Sequence, residues 1–334
     1  MEIIYPYCAA IDVHKKQVTV AVRTPGPTPG QRHQEIRKYA TFYSALRTMT
    51  AWLVERKVTH VAMEATGIYW LPIFHALQEA EHLEVILCNA AHVKNVPGRK
   101  TDAADAAWLA ELCEIGLLRP SFIPPPDIAA LRQLTRYRKK LIEGRTSESQ
   151  RLRKVLEDGA IKLDSVASDA LGVSGRAMIE ALIAGQRDPH VLAELAKGVL
   201  RRKIPDLTLA LSGRFGECHA QMCQLHLRHI DHLDASIADL DARIRATAAP
   251  FRQQIALLMT IPGIGERLAQ VIVAEIGVDM SRFKTAAHLA SWTGVCPGNH
   301  ESAGKRKSGR TRHGNLHLQT ALVEATWALS ALRT

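Results

Sequence analysis

"YCAAIDVHKKQVTVAVRT", residues 7–24, decides the fold. Two apolar runs rich in β-branched residues flank a polar "HKK", the signature of a β-hairpin. Asp12 interrupts the first run, where a charge is expensive to bury unless something compensates it. Working outward, "VTHVAMEATG" (58–67) predicts a short buried strand that ends in a Gly-marked loop, with Glu64 at its C-terminal end. "LEVILCNA" (83–90) is continuous in apolar residues, as expected of a strand covered on both faces. "YSALRTMTAWLVERK" (43–57) and "YWLPIFHALQEAE" (69–81) have helical periodicity. "KTDAADAAWLAELCEIG" (100–116) predicts a helix with Thr101 as N-cap and Gly116 as stop. Residues 1–126 therefore read as an α/β domain ending near the punctuating "PSFIPPPD".

Beyond residue 126 the composition becomes helical. Residues 128–158, "IAALRQLTRYRKKLIEGRTSESQRLRKVLED", predict a long helix crowded with Arg and Lys, among them Arg136, Lys139 and Lys140. In "IDHLDASIADLDARIRA" (230–246), Ile230, Leu233, Ile237, Leu240 and Ile244 recur at steps of three and four. That is a coiled-coil seam, with Asp231, Asp234, Asp239 and Asp241 available for the outside. It either pairs with a second chain or packs within its own domain. Residues 127–249 form a helical, coiled-coil region and 250–334 a third unit, in which "ALLMTIPGIGERLAQVIVAEIG" (256–277) reads as helix, tight Gly turn, helix.

The chain has 334 residues and a formal net charge of +10. Its pI is about 9.4. That length suggests two or three domains, and that charge favours a polyanionic partner. No apolar run approaches the roughly 20 residues that span a bilayer, and the N-terminus lacks a signal-peptide pattern. Nucleic acid is thus the favoured partner, with no membrane. Six dispersed cysteines without a C-x-x-C pair read as a reduced, cytosolic chain. Cys223, His226, His229 and His232 cluster at near-helical spacing, and helix side chains without metal are the better reading of them.

Four carboxylates stand out in this basic chain: Asp12, Glu64, and Asp102 with Asp105, three apart on one helix face. If they converge, mutual repulsion of roughly 4 kcal/mol per pair at about 4 Å requires compensation. Hard oxygen ligands suit Mg²⁺ or Mn²⁺, which assist phosphodiester cleavage. On a strand–strand–helix frame this set points to a ribonuclease H-like nuclease core. In "IPGIG", Gly263 and Gly265 allow backbone N–H groups to approach a phosphate, although a tight turn between packed helices needs the same glycines.

The tail, "SWTGVCPGNHESAGKRKSGRTRHGN" (291–315), fails as a nucleotide loop: one residue too many separates Gly298 from Gly304, and Arg306 stands where Ser or Thr is required. A G-x-S-x-G elbow is absent. What remains is a flexible Gly-Ser-basic loop in which Lys305, Arg306, Lys307, Arg310 and Arg312 are suited to neutralise phosphates. Ser302, Ser308 and Thr311 are, on chemistry alone, candidates to attack one, although most serines in such loops are passive.

In order, "AAIDVHKK", "MEATGIYW", "NVPGRKTDAADAAWLAEL", "IPGIGERLAQVIVAEIG" and the tail resemble the DEDD transposases of the bridge-RNA insertion sequences (the insertion sequence 110 family, pilin-gene-inverting-like branch), over nearly the whole chain. The resemblance implies a resolvase-type ribonuclease H-like first domain with Asp12, Glu64, Asp102 and Asp105 binding Mg²⁺, and Ser302 as the nucleophile that links covalently to DNA. It further implies a helical coiled-coil region supporting a homodimer that assembles to a tetramer, with the serine of one protomer completing the acidic site of another. A structured noncoding bridge RNA that pairs with donor and target DNA, and a cytoplasmic, nucleoid-associated location, also follow from it. Members commonly continue past the last helix, where this sequence ends at "SALRT". A junction-resolving hydrolase that uses the same acids and water, and a non-enzymatic nucleic-acid scaffold, are the alternatives.

Overall fold

The computed structural model describes residues 2–28, 30–89, 102–298, 300–302, 304–311 and 313–331, with 102–104, 300–302, 306, 307 and 331 as backbone alone. It divides into two compact units, Met1–Ile123 and Pro124–Thr334.

The first unit is built on the predicted hairpin. Strands β1 (Cys8–Val13) and β2 (Gln17–Pro25) pair antiparallel, from Cys8 opposite Arg23 to Val13 opposite Val18. β3 (Arg32–Ala40) adds antiparallel to β2. After helix α1 (Tyr43–Glu55), β4 (His60–Glu64) pairs parallel to β1; after α2 (Trp70–Gln78), β5 (Glu84–Cys88) pairs parallel to β4. The sheet order is β3-β2-β1-β4-β5. This mixed sheet with covering helices is the α/β first domain expected. The sequence had shown no strand at β3. It is a sheet edge in which six of nine residues are exposed, so the apolar run that betrays a buried strand is missing.

Side chains along β1 alternate between two cores, as a pleated strand requires. Ala9, Ile11 and Val13 face α1 and α2 together with Val61 and Met63, against Leu46, Met49, Leu53, Ile73 and Leu77. Ile11 is 0% exposed, and truncating it to Ala would cost about 2–5 kcal/mol. Cys8 and Ala10 face the other way with Ala62, Ile86 and Cys88, against Ala106, Leu109, Ala110 and Cys113 of α3 (Asp102–Glu114). Alanines on this face let α3 lie close to the sheet. Gly116, with φ of +66°, stops that helix as expected, while Thr101, its expected cap, lies outside the described residues.

The second unit hangs on a long antiparallel helix pair. α4 (Pro126–Asp158) begins on a proline, whose fixed φ suits the first turn. α5 (Val173–Ile183), α6 (Pro189–Ala193) and α7 (Ile204–Ala210) follow, and α8 (Glu217–Thr247) runs back along α4. The seam residues Ile230, Leu233, Leu240 and Ile244 are buried within this chain, with Ile237 half-buried. One apolar core closes around the end of α4 and the start of α8, from Leu152 and Leu156 to Cys223, Leu227 and Ile230. A second joins Ile128 and Leu131 of α4 and Ile244 of α8 to the C-terminal segment. That segment comprises α9 (Arg252–Met259), α10 (Glu266–Ile276), α11 (Ala286–Thr293), the hairpin β6 (His300–Ser302) and β7 (Lys305–Ser308), and α12 (Leu316–Ala331).

Candidate functional site

β1 and β4 run in register from Cys8 opposite His60 to Ile11 opposite Met63. Asp12 and Glu64 each follow that last pair by one residue, so they stand at one level on neighbouring strands about 4.8 Å apart. By alternation both belong to the α3-covered face, two residues beyond Ala10 and Ala62. Both are half-buried. His14 Nε2 lies 3.0 Å from Asp12 Oδ2. Glu64 pairs in register with Cys88, whose buried thiol is pushed up to about 11 by burial and then by the Glu64 charge.

Asp102 opens α3, one turn before Ala106, whose side chain is buried on this same face. Asp105 is exposed. Among the described residues no three His, Cys, Asp or Glu side chains gather as a metal-holding group; the Asp102 side chain is not among them. The residues in view fit a hard divalent cation to this extent: two carboxylates on one face at the carboxyl ends of adjacent parallel strands, with the helix carrying Asp102 laid over that face.

In the second unit the basic tail is a hairpin rather than the flexible loop expected. Ser302 pairs with Lys305 across the connection 303–304, and Gly304 has a φ of +71°, which glycine adopts without penalty. Ser302 ends β6, and Gly298 N–H donates to the Arg310 carbonyl at 3.1 Å to close the base. Lys305 and Arg310 are exposed, without an ion pair among the described residues; Arg306 and Lys307 lie on β7, and Arg312 lies outside the described residues.

The two glycines of "IPGIG" divide. Gly263 (φ +84°) packs on α12, where an added Cβ would meet the Ala325 carbonyl at 2.7 Å; Gly265, at the start of α10, faces open space. Gly263 therefore serves packing, while Gly265 is the one of the two with open space beside it.

Most of the cations on α4 turn out to be engaged. Arg138 donates to Asp241 at 2.5 Å, and Arg145 is paired with Asp234. Two aspartates expected on the outside of the seam thus stitch α8 to α4, while Asp231 holds Arg176 of α5 at 2.5 and 2.6 Å. Arg136 grips buried Glu275 with two bonds of 2.8 Å, and Lys140 donates to Glu143 at 2.7 Å. No carboxylate among the described residues pairs with Lys139, which lines a cavity of about 510 Å³ with Arg136, Ile142, Arg267, Val271 and His317.

The histidine cluster centres on a residue the sequence had not flagged. Glu148, 4% exposed, lies 2.7 Å from His226 Nδ1 and 3.4 Å from His229 Nδ1, and contacts Arg151. Burial opposes its charge, but hydrogen bonds from His226 and Arg151 hold its carboxyl below the ordinary value. Cys223 is buried, its thiol raised to about 11 by burial alone, and His232 is exposed.

Residues 9–160 match a family model described as a transposase, of the DEDD IS110 type, and residues 255–334 match one described as Transposase IS116/IS110/IS902 family. A Sinorhizobium fredii protein named as a transposase, y4pF/y4sB, is 29% identical over 294 residues, covering 86% of this chain and 66% of that protein. A Streptomyces coelicolor protein named for the transposase of the IS117 mini-circle is 31% identical over 142 residues, covering 42% of this chain and 32% of its own length. The pilin gene-inverting protein of Moraxella bovis is 39% identical over 77 residues, 22% of this chain and 24% of that one. The chain thus spans from about a quarter to just under two thirds of these relatives. A crystal structure of fowlpox virus resolvase with Holliday junction DNA superposes with a TM-score of 0.26 at 14% identity, over 34% of this chain and 99% of that one, too slight a likeness to bear on the fold. Among the described residues no helix is long and apolar enough to cross a membrane. Over residues 9–160 and 255–334 the chain is thus similar to the transposase domains of the IS110 family.

Proposed function

We propose that this protein is the RNA-guided DNA recombinase of an insertion sequence. The observation that carries this reading is the placement of Asp12 and Glu64 side by side on parallel strand ends, in a chain whose first and last segments match transposase models. Ser302 is the nucleophile. Its Oγ attacks the scissile phosphorus, a phosphoserine ester forms, and the bond to one deoxyribose oxygen breaks, that oxygen leaving as a hydroxyl. The ester conserves the phosphodiester for rejoining, which a hydrolytic nuclease loses.

Asp12, Glu64, Asp102 and Asp105 would hold Mg²⁺ or Mn²⁺, which when bound stabilises charge developing on the phosphate. Lys305, Arg306, Lys307, Arg310 and Arg312 position the backbone of the DNA, with Gly265 and Lys139 as further phosphate contacts. A structured RNA of the same element supplies sequence specificity by pairing with donor and target DNA. A homodimer assembling to a tetramer brings the serine hairpin of one protomer to the acidic site of another.

The test begins with the protein expressed from its whole element. A discrete structured RNA should co-purify, and its loops name the DNA to use. With that DNA, wild-type protein should give a covalent adduct that Ser302→Ala abolishes while binding survives. Normal recombination by Ser302→Ala would sink the proposal. Cleavage lost in Asp12→Asn but kept in Ser302→Ala, with no adduct, would instead identify a junction-resolving hydrolase that uses water.

A further inference from the structure

Glu275 is the most deeply buried carboxylate described, with 0% side-chain exposure near the end of α10. Arg136 of α4 donates to both its oxygens at 2.8 Å, and Asn315 Nδ2 donates to Oε2 at 2.7 Å. Arg132 caps the end of α10 through the Ala274 and Glu275 carbonyls at 2.9 and 2.8 Å. A buried ion pair is a poor device for stability alone, since apolar residues of similar volume usually serve as well. Its geometry suggests what else it does.

Asn315 is the last residue of the segment 294–315, which carries Ser302. Its side-chain oxygen accepts from Leu318 N–H at 3.0 Å and so caps α12, while its amide reaches back to Glu275. The other root of the segment is fixed beside it. Gln319 donates to the Gly294 carbonyl at 3.4 Å, and Gly314 lies so close to Thr293 that an added Cβ would stand 2.3 Å from its backbone. The hairpin has no apolar core of its own, being nearly all polar and exposed where described. Its orientation must therefore be set at these roots.

We propose that Glu275 is a positioning residue for the Ser302 hairpin, acting through Asn315 to clamp the hairpin root onto α10 and, through Arg136, onto α4. This deepens the role proposed for Ser302 and rests on it for its catalytic meaning. The clamp itself is testable without any reaction.

Asn315→Asp separates the two jobs of Asn315, because the new carboxylate still caps α12 but cannot donate to Glu275. In the full-length protein, hydrogen exchange across 300–311 should quicken about tenfold, the loss of roughly one hydrogen bond, while the α4 and α8 amides stay protected. Glu275→Gln combined with Asn315→Asp restores a donor facing an acceptor and should restore protection. With DNA, the adduct rate should fall in Asn315→Asp and recover in the double variant, with DNA affinity unchanged throughout. Unaltered hairpin exchange in a folded Asn315→Asp protein, or no recovery in the double variant, overturns the clamp. If wild-type protein forms no adduct, the Ser302 assignment fails, and the exchange result still decides the clamp. Should Asn315→Asp not fold, Glu275→Gln alone removes the charge while keeping an oxygen for Asn315, and exchange that spreads evenly through the second unit would overturn the proposal.

Discussion

Asp12 and Glu64 stand level on neighbouring parallel strands, one residue beyond the paired Ile11 and Met63. Side chains at one level of adjacent strands are within mutual reach, and two carboxylates so placed favour the binding of a cation. Mg²⁺ or Mn²⁺ should therefore raise the melting temperature of the wild-type protein. At a hundredfold excess over the dissociation constant the gain is about 2.7 kcal/mol. Differential scanning fluorimetry should find that gain absent in Asp12→Asn and Glu64→Gln. A full metal-dependent shift in Asp12→Asn would show that the pair is not the ligand set.

Asp102 and Asp105 are expected to part company. Asp102 stands one helical turn before buried Ala106, whereas Asp105 is exposed. Asp102→Asn should weaken metal binding at least about tenfold (~1.4 kcal/mol), and Asp105→Asn by less. Calorimetric titration with Mn²⁺ compares the two directly, and equal losses would contradict the helix register.

The cations of the second unit should fall into two classes. Arg138→Ala leaves Asp241, 15% exposed, without its main partner, and should cost about 2–3 kcal/mol of stability. It should leave the salt dependence of DNA affinity intact. Lys305→Ala and Arg310→Ala should do the reverse, each flattening the slope of log affinity against log salt by about 0.9 with little change in unfolding. A salt slope altered by Arg138→Ala would mean that α4 meets phosphate despite its ion pairs.

Acid stability should report on Glu275. Burial alone raises its carboxyl, but hydrogen bonds from Arg136 and Asn315 and the charges of Arg136 and Arg132 together hold it below the ordinary value. A folded-state pKa below the unfolded one adds stability that is complete above about pH 4.5 and is lost as pH falls through the folded value. Denaturant titrations from pH 6 to pH 2 should therefore show a steeper acid loss in wild type than in Glu275→Gln. Parallel acid limbs would place the carboxylate's influence elsewhere.

The elements legible in the sequence were those that declare themselves locally. The hairpin of β1 and β2, buried β4 and β5, and a helix over 128–158 against the observed Pro126–Asp158 all follow from short-range pattern. β3 escaped because an edge strand needs no apolar run, and β6–β7 because a hairpin of charged residues resembles a loop. The pairing of Arg138 with Asp241 and of Arg136 with Glu275 was out of reach for a different reason. Partners 103 and 139 residues apart leave no periodic trace, so a structural arginine and a phosphate-binding one read alike. Glu275 itself hid within an apolar helix pattern, where one charge at the end of "VIVAEIG" passes for a solvated turn.

The paired helices also behave as a ruler. At 1.5 Å per residue, the 33 residues of α4 span about 50 Å, with one apolar core at each end and charge pairs between. Length can be added to such a rod only in matched steps. Seven residues placed in both α4 and α8 would return every seam position and every Arg–Asp pair to its partner and move the two cores about 10 Å apart. Increments far from a whole number of helical turns would turn one end of the rod against the other. The spacing between the helical middle of the chain and its serine hairpin is thus quantised in near-whole helical turns.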